Sequence, residues 1–296
     1  MLRHATRTSC CWAFDAGEVR MWATLKSYLR LAFIVLWIRL NQGHAVHCGM
    51  GVWGPHIHSH GNRCRAYGWF TVLCNIVAWR DVVTRSCMGN GQVQPDWAFM
   101  LGQPISWLCS ERRAAGRDLL AVSMRGDREL PGDAWLAAVK AQAGRQQLKI
   151  VVVVQVAHDR ERAVQLAALL GGECLNWSGD DHMEREDVVR AIYRRSRYII
   201  SDRLHALIIA MTEGALPVGY TVGSNEKVDR VMASAGIRDV TFSASGVNTE
   251  MALQKMADIE NRAEELFAGL ATARERLRRL AVQIQSLVTD GPSVVI

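Results

Sequence analysis

The sequence has no apolar run near the roughly 20 residues that span a bilayer. Its most apolar early stretch, residues 29–40, is interrupted by Arg30 and Arg39 and is expected to be a buried or interfacial helix. The first residues also lack an apolar segment ending in a small-residue cleavage site, so a secretory leader is not expected and a cytoplasmic protein is. Seven of the eight cysteines stand at positions 10, 11, 48, 64, 74, 87 and 109, with no C-x-x-C pair and no regular framework. A disulfide scaffold is not expected from such a pattern in a chain of 296 residues. Zinc-finger spacing, a basic heptad region and an aromatic RNA-binding signature are all missing, which argues against nucleic acid as a partner.

Acidic residues are scarce in the first part of the chain. Residues 1–117 hold 13 Lys/Arg against 5 Asp/Glu, whereas residues 118–296 hold 22 against 24, so the formal charge of +6 is an N-terminal property. A basic half suits a small anionic ligand or an anionic leaflet, and charge alone does not choose between them. What is present in quantity is apolar surface: at 49% the chain is too hydrophobic for disorder and long enough for two domains.

From residue 118 onward, apolar runs of strand length alternate with amphipathic segments of helix length, the pattern of a parallel sheet covered on both faces. Strands are expected at 119–124, 150–156, 173–177, 198–201, 217–220 and 240–242, and helices at 132–143, 159–170, 185–196 and 204–213. After Asn248 the sequence turns helical to about residue 290; this tail either packs across two domains or pairs two copies of the chain. Residues 1–42, rich in Trp, Cys and Arg, give no readable fold.

The sharpest motif follows an expected strand end, where Ile199-Ile200 runs into Ser201-Asp202-Arg203-Leu204-His205 and then an apolar helix. In open α/β sheets ligands bind at such ends, near helix N-termini. Ser201 or Asp202 can cap that helix, while Arg203 supplies a fixed cation and His205 a titratable proton carrier. Spacing alone leaves a structural role open, with Arg203 paired to an acidic neighbour and His205 a satisfied polar residue. Arg80, ending the apolar run Ile76-Val77-Ala78-Trp79 and followed by Pro95-Asp96-Trp97-Ala98-Phe99, is an anion clamp or one half of an intradomain salt bridge. Arg125, in Ser123-Met124-Arg125-Gly126-Asp127, faces a ligand or plays a structural part. Gly49, Gly51 and Gly54 form a glycine-rich turn before Pro55 that lets backbone approach a ligand. Gly223-Ser224-Asn225 is a plausible but unspecific phosphate-cradling turn. His44, His47, Cys48, His56, His58, His60 and Cys64 match no zinc-module spacing, so no metal site is expected.

In this order, the glycine-rich turn, Arg80-Asp81, Pro95-Asp96-Trp97-Ala98-Phe99, Arg125-Gly126, Ser201 to His205, Glu213-Gly214, Pro217 and Lys227-Val228 make residues 43–230 resemble the polysaccharide pyruvyl transferase family. The resemblance implies an α/β, GT-B-like fold of two Rossmann-like domains facing a cleft, the first shortened. It implies an acceptor-side domain at 1–117, a donor-site domain at 118–247 and a helical tail at 248–296. It further implies transfer of pyruvate from phosphoenolpyruvate, a co-substrate, to two hydroxyls of a saccharide or lipid-linked saccharide, giving a cyclic ketal without a cofactor. Arg80 and Arg203 would then hold the donor's carboxylate and phosphate, with Leu204, Arg125, Gly54 and Lys227 around them. His205 would be the general acid and later base, with Glu213 a weaker candidate base. The N-terminus departs from the family, offering Asp15-Ala16-Gly17-Glu18 where an Asn-x-Gly-Asp turn is usual. A nucleotide-sugar glycosyltransferase on the same kind of scaffold and an inactive glycan-binding relative are the other readings. Any membrane contact would be peripheral, at the inner face.

Overall fold

A computed structural model describes residues 25–51, 69–110, 116–176 and 181–289. The chain divides into two compact units, one formed by Met1–Trp97 with Ala273–Ile296 and the other by Ala98–Thr272. These borders differ from the expected 1–117, 118–247 and 248–296. Residues after Trp97 group with the second unit because Gln103 N donates to Thr212 O at 2.9 Å and Arg117 donates to Ser196 O at 2.7 Å and Glu213 O at 3.0 Å. Gly102, at φ +85°, lies so close that a Cβ there would stand 2.5 Å from Thr212 O.

In the first unit, helix α1 (Leu25–Leu40) precedes a parallel sheet of three short strands, β1 (Val46–Met50), β2 (Ile76–Trp79) and β3 (Gln92–Val93), in that order. Val46 pairs with Ile76 and Ala78 with Gln92. Helix α2 (Val82–Met88) starts at Asp81, whose Oδ1 accepts from Thr84 N at 2.8 Å, and stops at Gly89 in the left-handed region. Ala32 and Val35 of α1 pack with Met50, Trp79, Cys87 and Met88, while Val46, Cys48 and Ala78 pack with Leu280, Ile284 and Leu287 of the C-terminal helix. The sheet is thus covered on both faces, as parallel strands require.

The second unit opens with helix α3 (Ile105–Ser110) and then alternates without a break. The order is β4 (Leu119–Ser123), α4 (Asp133–Arg145), β5 (Lys149–Val153), α5 (Arg160–Leu170), β6 (Glu173–Leu175), α6 (His182–Arg195), β7 (Ser196–Ser201), α7 (Leu204–Thr212), β8 (Leu216–Thr221), α8 (Glu226–Ser234) and β9 (Thr241–Ser243). Helices α9 (Thr249–Asn261) and α10 (Ala263–Thr289) follow. All six strands are parallel, in the order β6-β5-β4-β7-β8-β9. The direction of winding therefore reverses between β4 and β7, which makes their carboxyl ends the expected ligand crevice.

Local sequence explains these elements. Every residue of β4 and β8 is buried, as for central strands covered by helices. Helix α5 buries Ala163, Leu166, Ala167 and Leu170 along one stripe and ends at Gly171, φ 69°. Helix α6 begins at His182 rather than 185 because Asp181 caps it, accepting from Met183 N at 2.8 Å. Trp135 of α4 stacks on Tyr220 at 5.6 Å, Tyr220 stacks on Phe242 at 4.6 Å, and Trp135 Nε1 donates to Tyr220 O at 3.0 Å. Truncating such a buried Trp to Ala costs about 3–5 kcal/mol. Among the described residues no helix is long and apolar enough to cross a membrane.

Candidate functional site

The loops leaving β4 and β7 meet at the switch point. Helix α7 has Arg203 as its N-cap residue and no side-chain cap, contrary to the expectation that Ser201 or Asp202 would fill that role. Ser201 Oγ instead donates to Ser123 O and accepts from Arg203 N at 2.9 Å, and Asp202 Oδ1 accepts from Arg125 N at 2.9 Å. Ser201 Oγ and Asp202 Oδ1 thereby join the two loops. The N-terminus of α7 lies beyond the carboxyl end of β7 and carries a partial positive charge there.

Arg203 is ion-paired with Asp159, which follows β5, and its Nη2 lies 3.2 Å from His158 Nε2. Asp159 is 2% exposed, and its Oδ1 accepts from Gly126 N at 2.8 Å. A Cβ at Gly126 would lie 3.1 Å from His158 O, a tight contact that the missing side chain avoids where the β4 loop meets Asp159. In this pair Arg203 Nη2 meets Asp159 Oδ2, while Arg203 Nε is buried without a hydrogen-bond partner. Unsatisfied polar atoms in a crevice leave hydrogen-bonding capacity for a ligand.

The surrounding arginines are also partly engaged. Arg125 forms a two-pronged pair with Asp127, at 2.8 and 2.6 Å, which holds the Asp127 carboxyl well below the usual carboxylate range. Arg128 Nη1 stands 3.5 Å from Asp202 Oδ2 and 3.1 Å from Val222 O. Arg162 fixes the loop from below by donating to Arg128 O at 2.7 Å and Glu129 O at 3.0 Å. Burial pushes the Asp202 carboxyl up, against the pull of the Arg125 N–H and the charges of Arg128 and Arg203.

The structure sorts the expected residues unevenly. Arg125, Arg203, Leu204 and His205 share the switch point, with His205 part-exposed in the first turn of α7. Leu204 is buried, so its side chain is a packing element rather than a ligand contact. Lys227 is the second residue of α8, beyond the carboxyl end of the neighbouring strand β8. Glu213 stands just past the opposite end of α7 and does not join the site: it is buried, and it pairs with Arg190 at 2.9 Å and Arg194 at 3.1 Å. It stands at the other end of α7 from His205, the expected catalytic acid. Arg80 belongs to the first unit, where it is buried and forms the intradomain pair with Asp96 at 3.6 Å. A Cβ at Gly51 would lie 3.0 Å from Arg80 Nε, so Gly51 packs on that guanidinium. Gly54 lies outside the described residues, as do His56, His58, His60 and Cys64. Among the described residues no group of three or more His, Cys, Asp or Glu could hold a metal ion.

Asp159, Arg128 and Arg162 carry no expectation from the sequence, and Asp202 only that of a helix cap. Asp159 carried one usable signal, its position in the loop that follows β5 on the carboxyl side of the sheet.

No family model and no curated protein matches this chain. Among solved structures, a candidate UDP-N-acetylglucosamine 2-epimerase from Listeria monocytogenes covers 90% of this chain and 74% of its own, at 14% identity and a TM-score of 0.52. A UDP-GlcNAc 2-epimerase from Neisseria meningitidis, bound to UDP-GlcNAc, covers 85% of this chain and 71% of its own, at 8% identity and a TM-score of 0.50. At such identities the likeness speaks for fold alone, and that fold is α/β and GT-B-like, with Rossmann-like parallel sheets.

Proposed function

We propose that this chain is a transferase acting on a saccharide, that its anionic donor sits where the β4 and β7 loops meet, and that the donor is phosphoenolpyruvate. The observation that carries the reading is Arg203 and His205 together at the uncapped start of α7, on the carboxyl side of the switch point. Phosphoenolpyruvate carries a carboxylate and a phosphate on one small enol, so it needs a cation and backbone donors within a few ångströms of each other. Arg203 with the first N–H groups of α7 supplies both, and Arg203 Nε, which makes no hydrogen bond, is a further donor.

In this reading His205 protonates the enol methylene, which makes the adjacent carbon electrophilic. A sugar hydroxyl adds there, the carbon–oxygen bond to phosphate breaks with its electron pair leaving on phosphate, and a second hydroxyl closes the ketal. The two hydroxyl protons pass to His205 and to phosphate, and nothing is oxidised or reduced. The test is phosphate release from phosphoenolpyruvate that depends on added saccharide. His205→Ala is expected to lower it by roughly 10² to 10⁴; unchanged release in that variant refutes the role.

A nucleotide sugar as donor is the second reading, and the likeness by fold to an epimerase bound to UDP-GlcNAc favours it over pyruvyl transfer. Turnover of a UDP-sugar, with no phosphate release from phosphoenolpyruvate, would establish it.

A further inference from the structure

We propose that the outer face of α1 docks the protein onto a bilayer of anionic lipid. Ala32, Val35 and Ile38 are the buried side of this helix, but its remaining surface is apolar as well. Phe33 is 72% exposed, Trp37 61% and Leu40 75%, and Leu29 and Leu36 beside them are more than 40% exposed. At about 100° per residue these five side chains fall within an arc of roughly 100°. The turn Trp69–Leu73 packs against α1 and adds Trp69 and Val72, both exposed. A helix that is apolar nearly all round is ordinarily covered on every side, so this continuous face calls for an occupant.

Charge identifies it. No Asp or Glu occurs between Glu18 and Asp81, while Arg30 and Arg39 lie on α1 itself and are exposed. Arg39 keeps its head at the surface, with Nη1 donating to Gly43 O and Asn75 Oδ1, both at 3.0 Å. A second copy of the chain would bring like charge onto like charge, because a two-fold contact sets the same patch against itself. Anionic headgroups match the arginines, and Trp and Phe among aliphatic side chains suit the boundary between headgroups and acyl chains. With 16 residues α1 is about 24 Å long and would lie in the plane of the interface.

The experiment is cosedimentation of the full chain with vesicles of phosphatidylcholine containing phosphatidylserine, beside vesicles of phosphatidylcholine alone. Preferential binding to the anionic vesicles, weakened by salt, is expected. Replacing both Phe33→Ser and Trp37→Ser should lower the partition coefficient at least about tenfold. Val282→Ser, an exposed apolar site on α10, should leave it unchanged. Thermal melting checks that the double variant folds, and Leu40→Ser replaces it if it does not. Equal partition of wild type and variants overturns the proposal. So does a lipid-free dimer split by the double substitution, which would make the face a contact between copies. A Trp37→Cys thiol unreactive toward a soluble maleimide would overturn it too, because the face would then be covered by the protein's own residues.

Discussion

Glu213→Gln separates a structural carboxylate from a catalytic one. The Glu213 side chain is 1% exposed and takes Arg190 Nη1 at 2.9 Å, Arg194 Nε at 3.1 Å and Gln103 Nε2 at 3.0 Å. Removing its charge leaves the buried Arg190 with Glu186 alone, a half-exposed partner 2.6 Å away on the same helix. Breaking a buried ion pair from one side costs about 3–5 kcal/mol. The exposed Arg194 arm adds at most about 1 kcal/mol. Since Glu186 remains and glutamine keeps one acceptor oxygen, the lower end applies, about 3 kcal/mol. At about 2–4 °C per kcal/mol for a unit of this size, the thermal midpoint should fall by roughly 6–12 °C. Turnover measured well below that midpoint should be unchanged, because Glu213 lies about 12 Å along the helix axis from His205. Calorimetry and phosphate release on the same preparations decide it. A variant that melts with the wild type but has lost turnover would place the carboxylate in the chemistry and refute this account of it.

Three further outcomes follow from the geometry. Asp159→Asn should tighten phosphoenolpyruvate binding several-fold at low ionic strength, read by calorimetric titration, because it removes a negative charge from beside Arg203; weaker binding would mean that Asp159 holds Arg203 in its binding orientation. Burial lowers the His47 imidazole to about 4, so the folded first unit favours the neutral ring. Its contribution to stability is complete above the unfolded value near 6.5 and is lost as pH falls toward 4. That amounts to about 2 kcal/mol between pH 7 and 5 in denaturant titrations, and His47→Gln should flatten the dependence. Asp202→Asn should keep donor binding within a few-fold but flatten the acid limb of the turnover profile if the raised carboxyl shares the proton transfer with His205; an unaltered profile would leave Asp202 as a loop tie only.

The second unit was legible because its information is local. Runs such as Ile150-Val151-Val152-Val153 and stops such as Gly171 determine strands and helix ends within a few neighbours, and β5 and α5 stand where those runs predict. Its site was half legible. The strand end before Arg203 marked the crevice, but the partners of Arg203 and Glu213 lie far off in sequence, Asp159 on another crossover and Gln103 before the sheet begins. Spacing near a motif carries no record of such pairs. Glu213 looked chemical because it follows the motif closely, yet a nine-residue helix carries it to the far end. In the first unit β3 has only two residues, too few for any periodicity to register, and α1 shows no amphipathic contrast because both of its faces are apolar.

The claim at the centre is an anion-binding donor site at the β4–β7 switch point, and it can be tested by the thermal midpoint of the purified chain with phosphoenolpyruvate, beside Arg203→Ala and a UDP-N-acetylglucosamine control. At a donor concentration 100 times its dissociation constant, linkage stabilises the folded state by about 2.7 kcal/mol. The account predicts a rise with phosphoenolpyruvate that Arg203→Ala abolishes and the nucleotide sugar does not reproduce. No rise with phosphoenolpyruvate in a folded sample, or an equal rise in Arg203→Ala, would contradict it.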